Sequence, residues 1–114
     1  MELQTTLELL SSTIKRCKDA QKKCKEGTSQ HSLLKHRIKA LEISKALLEK
    51  AKQASSYTLE ELHKALPPME SILSKVTKAQ SKYPKDHPQY KRYEPMIRAT
   101  TLAIEHIKEE INRR

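Results

Sequence analysis

Glu60 and His63 stand three residues apart, the spacing at which one helix can offer a carboxylate and an imidazole to a di-iron centre. The rest of that chemistry is not supplied. Leu59, Leu62 and Leu66 are expected to face inward here, which turns Glu60 and His63 outward. Their counterpart in the internal repeat described below is Glu2-Leu3-Gln4, with no second Glu-x-x-His. The five histidines, at 31, 36, 63, 87 and 106, form no i, i+4 pair on one face, and there is neither a Gly-rich phosphate loop nor a nucleophile elbow. Cys17 and Cys24 lie seven apart. Two helical turns separate such residues by roughly 10 Å, beyond the about 7 Å that a disulfide spans. They are expected to be reduced thiols, filling the seam as small apolar residues in a reducing compartment. These spacings predict no catalytic residue, no metal and no cofactor, and the chain reads as non-enzymatic.

Binding chemistry is better supplied. The 114 residues carry 23 Lys/Arg against 14 Asp/Glu, a formal net charge of +9. Residues 15–39 net +7, residues 75–98 net +5, and the remainder nets −3. Such a division can be a solvated, lysine-rich surface that keeps the protein soluble. It can also be an electrostatic footprint for an acidic protein, nucleic acid or anionic lipid. Against nucleic acid, only Arg16, Arg37, Arg92 and Arg98 offer bidentate forks in these stretches, and four Tyr without Phe or Trp give little stacking surface.

What positions these charges is a duplication. Residues 20–31 read AQKKCKEGTSQH and residues 79–90 read AQSKYPKDHPQY, an offset of 59. Carried without a gap, the offset pairs 2–55 with 61–114 and makes ten identities, among them Leu7/Leu66, Gln21/Gln80, Gln30/Gln89, Ile38/Ile97 and Ala40/Ala99. About three would arise between unrelated stretches; self-similarity at a fixed period marks a repeated unit.

Each unit reads as a helical hairpin. Leu3, Leu7, Leu10, Ile14, Cys17, Gln21 and Cys24 step by four and three along a first helix. Gly27 supplies a left-handed end, and Gly27 or Thr28 caps a second helix running to about Gln53, with a wide face of Leu33, Leu34, Ile38, Leu41, Leu47 and Leu48. Residues 54–57 form a short polar linker. Thr58-Leu59-Glu60-Glu61 is a capping box, and the third helix repeats the seam as Leu62, Leu66, Met69, Leu73, Val76, Gln80 and Tyr83. Pro67-Pro68 should kink or break it. A fourth helix starts from Asp86 with Gln89, or from His87 with Pro88 in its first turn. Its seam is Tyr90, Tyr93, Ile97, Thr100, Ile104, Ile107 and Ile111, with a kink at Pro95.

Short connections force antiparallel neighbours, so the expected fold is all-α: an up-down four-helix bundle in one domain. Hairpin repeat 1 spans 2–53, the linker 54–57 and hairpin repeat 2 58–113. Both turns then share one end, where Lys22, Lys23, Lys25, Lys82 and Lys85 are expected to converge. Beneath them Gln21, Gln30, His31, Gln80, Tyr83, Gln89 and Tyr90 should form a polar layer that fixes register, or else a small-ligand or partner site.

No run approaches 18 apolar residues, so no membrane span is expected. Glu2 stands where a signal peptide needs positive charge, which points to the cytoplasm. The strings EGTSQHSLLKHRIKAL (26–41) and SYTLEELHKALPPMESILSK (56–75) resemble small uncharacterised proteins of Gram-positive bacteria that share a G-T-x-Q-H turn, here Gly27, Thr28, Gln30 and His31, and a following K-A-L helix. The resemblance implies a bacterial cytosolic protein and carries no activity. The expected function is a binding or adaptor module presenting a basic tip, through Lys22, Lys23, Lys25, Lys82, Lys85, Gln30, His31, Gln89 and Tyr90, to a protein or other anionic partner. The alternative is association with nucleic acid through sequence-independent charge. The sequence leaves the oligomeric state open.

Overall fold

A computed structural model describes residues 3–114, save the side chain of Gln53, so Glu2, the expected start of the first repeat, lies outside the described residues. Four helices follow in order: α1 (Leu3–Lys22), α2 (Ser29–Glu49), α3 (Leu59–Gln80) and α4 (Pro88–Arg113), with one 3-10 turn, Lys52–Ser56, joining the hairpins. Among the described residues there is no strand. The chain is an antiparallel four-helix bundle built from two similar hairpins. α1 packs on α2 and α3 on α4; α2 also meets α3 and α4, and α1 touches α4 but not α3.

The duplication is visible in the element ends. α2 and α4 begin at Ser29 and Pro88, positions related by the offset, and their caps Thr28 and His87 are equivalent too. Thr28 Oγ1 accepts from the His31 N–H at 3.3 Å, and His87 Nδ1 accepts from the Gln89 N–H at 3.0 Å. The Asp86 alternative is thereby set aside. Thr58 closes its capping box with Glu61 from both sides, at 3.0 and 2.9 Å.

The core is symmetric in the same sense. Leu10/Met69, Ala40/Ala99, Leu41/Thr100, Ser44/Ala103 and Leu48/Ile107 are all offset pairs, and all are buried. Ala40, Ser44, Ala99 and Ala103 leave room for α2 and α4 to approach across the middle. The buried hydroxyls are satisfied on their own helices, Ser44 to Ala40 O at 2.8 Å and Thr100 to Met96 O at 2.7 Å.

Several sequence expectations are corrected. Leu3, Leu33 and Leu59 are exposed, at 50%, 38% and 44%, because helix starts at the hairpin ends have no second layer over them. Ile14 and Ile97 are only half-buried, while Thr6, Ile43, Ala65 and Ile72 join the core. The buried face is therefore wider than a two-position seam. α2 stops at Glu49, short of Gln53. Lys50 adopts the left-handed conformation (φ 54°), with Lys50 N–H bonded to Leu47 O at 3.2 Å and Ala51 N–H to Ala46 O at 3.0 Å, a Schellman ending without glycine. α1 ends at Lys22, so Gly27 (φ 84°) serves the turn before Thr28 rather than the helix terminus. Neither Pro67-Pro68 nor Pro95 breaks its helix. The carbonyls orphaned by the proline pair belong to His63 and Lys64, which are exposed and can be hydrated.

The molecule measures 43 × 36 × 21 Å. The thickness matches two stacked helices at about 10–12 Å each, one hairpin per layer. The 36 Å width exceeds what parallel layers would give. The buried offset pairs gather toward the start of α1 and α3 and the end of α2 and α4, the base of the bundle, while residues 25–30 and 84–88 at the turns are exposed, which leaves that end open.

Candidate functional site

The turns at the open end are built differently. In the second, Gln80 is buried, and its Nε2 donates to Tyr90 O at 3.1 Å and to Glu94 Oε1 at 2.9 Å. The Tyr83 ring stacks on Tyr93 at 6.4 Å and leans on His87 at 4.9 Å. The offset counterparts of Glu94, Tyr83 and Tyr93 are Lys35, Cys24 and Leu34, so the first turn cannot copy this knot. Gln21 is half-buried and Gln30 exposed; His31 is engaged through its backbone to Thr28. Among the described residues no hydrogen bond, ion pair or ring contact joins residues 21–31 to residues 80–90. The polar layer is half made, within the second hairpin alone.

Of the sixteen Lys/Arg in residues 15–39 and 75–98, three make an ion pair among the described residues: Lys18–Glu42 at 3.7 Å, Lys39–Glu61 at 2.8 Å and Arg98–Glu94 at 3.9 Å. Lys22, Lys23, Lys25, Lys82 and Lys85 are exposed and make none. Three carboxylates toward the base are engaged. The hydrogen bond from Lys64 holds Glu60 below the usual carboxylate range, that from Lys39 does the same for Glu61, and Arg114 with Arg113 does so for Glu110. The Lys39 ammonium is correspondingly raised by its bond to Glu61. Glu60 is thus engaged with Lys64, 2.9 Å away. No group of three or more His, Cys, Asp or Glu among the described residues is gathered closely enough to hold a metal ion.

Where the hairpins part, all four helices line a groove of about 480 Å³. Its floor is apolar, with Leu9, Cys17, Ile72, Val76 and Met96, and its cations come one from each helix: Arg16, Arg37, Lys75 and Arg92. No carboxylate lines it. Four offset pairs face one another there, Thr13/Ile72, Arg16/Lys75, Cys17/Val76 and Arg37/Met96, so the groove lies on the pseudo-twofold axis. Thr13 Oγ1 bridges the hairpins to Met96 Sδ at 3.8 Å, and Arg37 Nη2 donates to Ser71 Oγ at 3.3 Å. Arg37 Nε is buried without a hydrogen-bond partner. Burial pushes the Cys17 thiol up, outweighing the nearby charges of Arg37 and Arg16.

Of the nine residues expected from sequence to present the basic tip, only Gln89 lines this groove; the five lysines, Gln30, His31 and Tyr90 do not. The signal that would have found it is the offset itself, which places a cation at 16 and again at 75. Counting only identical pairs hides it. Comparison with protein-family models, curated proteins and solved structures finds no match to this chain.

Proposed function

We propose that the protein is a non-enzymatic binding or adaptor module that offers the open end of its bundle to an anionic protein partner. The observation that carries this reading is the uneven neutralisation of charge: thirteen of sixteen cations in the two turn-bearing stretches have no acidic partner among the described residues. Unpaired surface cations cost little when hydrated and are free to meet an acidic surface. A protein partner is favoured over nucleic acid because Tyr83 and Tyr93 stack on each other, half-buried, and offer no open platform for bases. No helix is long and apolar enough to cross a membrane. The two unpaired thiols, Cys17 and Cys24, fit a cytoplasmic setting.

The test reverses Lys22, Lys23, Lys82 and Lys85 to Glu, with a control reversing Lys45, Lys52, Lys64 and Lys108. Circular dichroism checks folding, and fluorescence anisotropy measures binding to polyglutamate and to a mixed-sequence oligonucleotide. The turn variant should lose polyglutamate binding while the control keeps most of it, and wild-type affinity should fall steeply with salt. Equal behaviour of the two variants overturns the reading. Oligonucleotide binding alone transfers it to nucleic acid.

A further inference from the structure

We propose that the groove between the hairpins is a docking site for an amphipathic helix of a partner protein, one with an apolar stripe flanked by acidic residues. This rests on the binding-module reading and specifies its contact surface.

Three observations select that occupant. The floor and the rim differ in chemistry: Leu9, Val76 and Met96 sit inside a ring of Arg16, Arg37, Lys75 and Arg92. Apolar side chains seated on the floor would be desolvated, while acidic neighbours on either side would meet guanidinium groups, the arrangement of helix-in-groove recognition. The groove is also open along its face. Arg16, Lys75, Arg92 and Pro95 are exposed, and Ile72 alone among its lining residues is buried. Small-molecule sites enclose most of their ligand; an open furrow between two helix pairs instead accepts a fifth helix packed as the other four are packed. Third, Arg37 carries an unused donor. Its Nη2 is held by Ser71, leaving Nε buried and unpaired, and a buried donor without a partner is uncommon in native proteins. A carboxylate at the rim would pair with the Arg37 guanidinium, and a turn of that side chain would bring Nε out of its unpaired, buried position into a charge-assisted hydrogen bond.

The pseudo-twofold axis through the groove sharpens the proposal. Arg16 and Lys75 are equivalent and present like charge on opposite walls, so an acidic helix can be held from both sides. Arg37 and Met96 are equivalent but unlike, which breaks the symmetry and gives the bound helix one preferred direction.

The probe is a fluorescein-labelled peptide of about 18 residues, five helical turns, with Leu at i, i+3, i+4 and i+7 and Glu beside them. A scrambled isomer keeps its charge and composition. Anisotropy with the full chain should show the patterned peptide binding at least about tenfold more tightly than the scramble. Arg16→Glu with Arg92→Glu should remove that preference, whereas Lys15→Glu with Lys91→Glu, adjacent exposed lysines outside the groove, should change affinity less than about threefold. In a Cys24→Ser background, bound peptide should slow alkylation of Cys17. Equal binding of the two peptides, no binding of either, or equal effects of the two double variants would overturn the groove. If the turn variant abolishes polyglutamate binding while the groove variants leave the peptide preference unchanged, the basic-end reading stands and the groove proposal alone falls.

Discussion

At the end of the first hairpin the chain turns through Gly27 at φ 84°, caps α2 with the Thr28 hydroxyl, and leaves the Gln21 and Gln30 side chains without a hydrogen bond among the described residues. At the same place in the second hairpin no residue takes positive φ, His87 and Pro88 start α4, and Gln80 binds two acceptors beneath a stacked tyrosine pair. Toward the base the copies agree again, with Leu10 at Met69's position and Leu48 at Ile107's. A duplicated hairpin has thus kept its shared core, where each copy is the other's wall. Its turns, which touch only solvent or a partner, have been free to differ.

The largest effects should be equal in the two copies. Leu10→Ala and Met69→Ala each empty a fully buried site and should cost about 2–5 kcal/mol in urea unfolding. Ile38→Ala should cost more than Ile97→Ala despite the identical residue, because Ile97 is only half-buried. A large inequality between positions 10 and 69 would break the symmetry of the core.

Next comes the buried amide. Gln80→Ala strips Glu94 Oε1 and Tyr90 O of their donor and should cost about 1–3 kcal/mol, against under about 0.5 kcal/mol for Gln21→Ala. Equal thermal shifts would show that the second turn is no better knit than the first. Gly27→Ala should cost about 1 kcal/mol from backbone strain alone, since nothing lies within 4 Å of the new methyl. Asp86→Ala, its counterpart, should be nearly silent in the same melts.

The smallest effect is a pH limb. Lys39 reaches across to Glu61 on the other hairpin, while its counterpart Arg98 pairs with Glu94 on its own helix. Glu61 is depressed in the fold, so its contribution is present above about pH 4.3 and lost as pH falls through its lower folded value. Lys39 is raised, so its contribution is complete below about pH 10.4 and lost as pH climbs past its folded value. The crossing pair is therefore intact from about pH 5 to about pH 10. Glu61→Gln should flatten the fall in Tm on acidification.

Much of this architecture was legible from residues. Four helices, their antiparallel order and the caps at Thr28 and Thr58 follow from period and turn chemistry, which are local. Leu33 was misjudged because its apolarity says nothing of whether a second layer reaches that far. Lys50 was missed because a left-handed helix end without glycine leaves no compositional mark. The groove escaped because Arg16, Arg37, Lys75 and Arg92 lie on four separate helices; only the packing of one hairpin on the other makes them neighbours.

The two hairpins are also joined outside the groove. The 3-10 turn Lys52–Ser56 links them along the chain, Lys39 of α2 pairs with Glu61 of α3, and Arg114 reaches from the end of α4 to the Tyr57 and Ala54 carbonyls. None of these residues lines the groove, yet each bears on how one hairpin sits against the other. A change there, as with Lys39→Ala, would retune what the groove can hold without altering a single residue it presents.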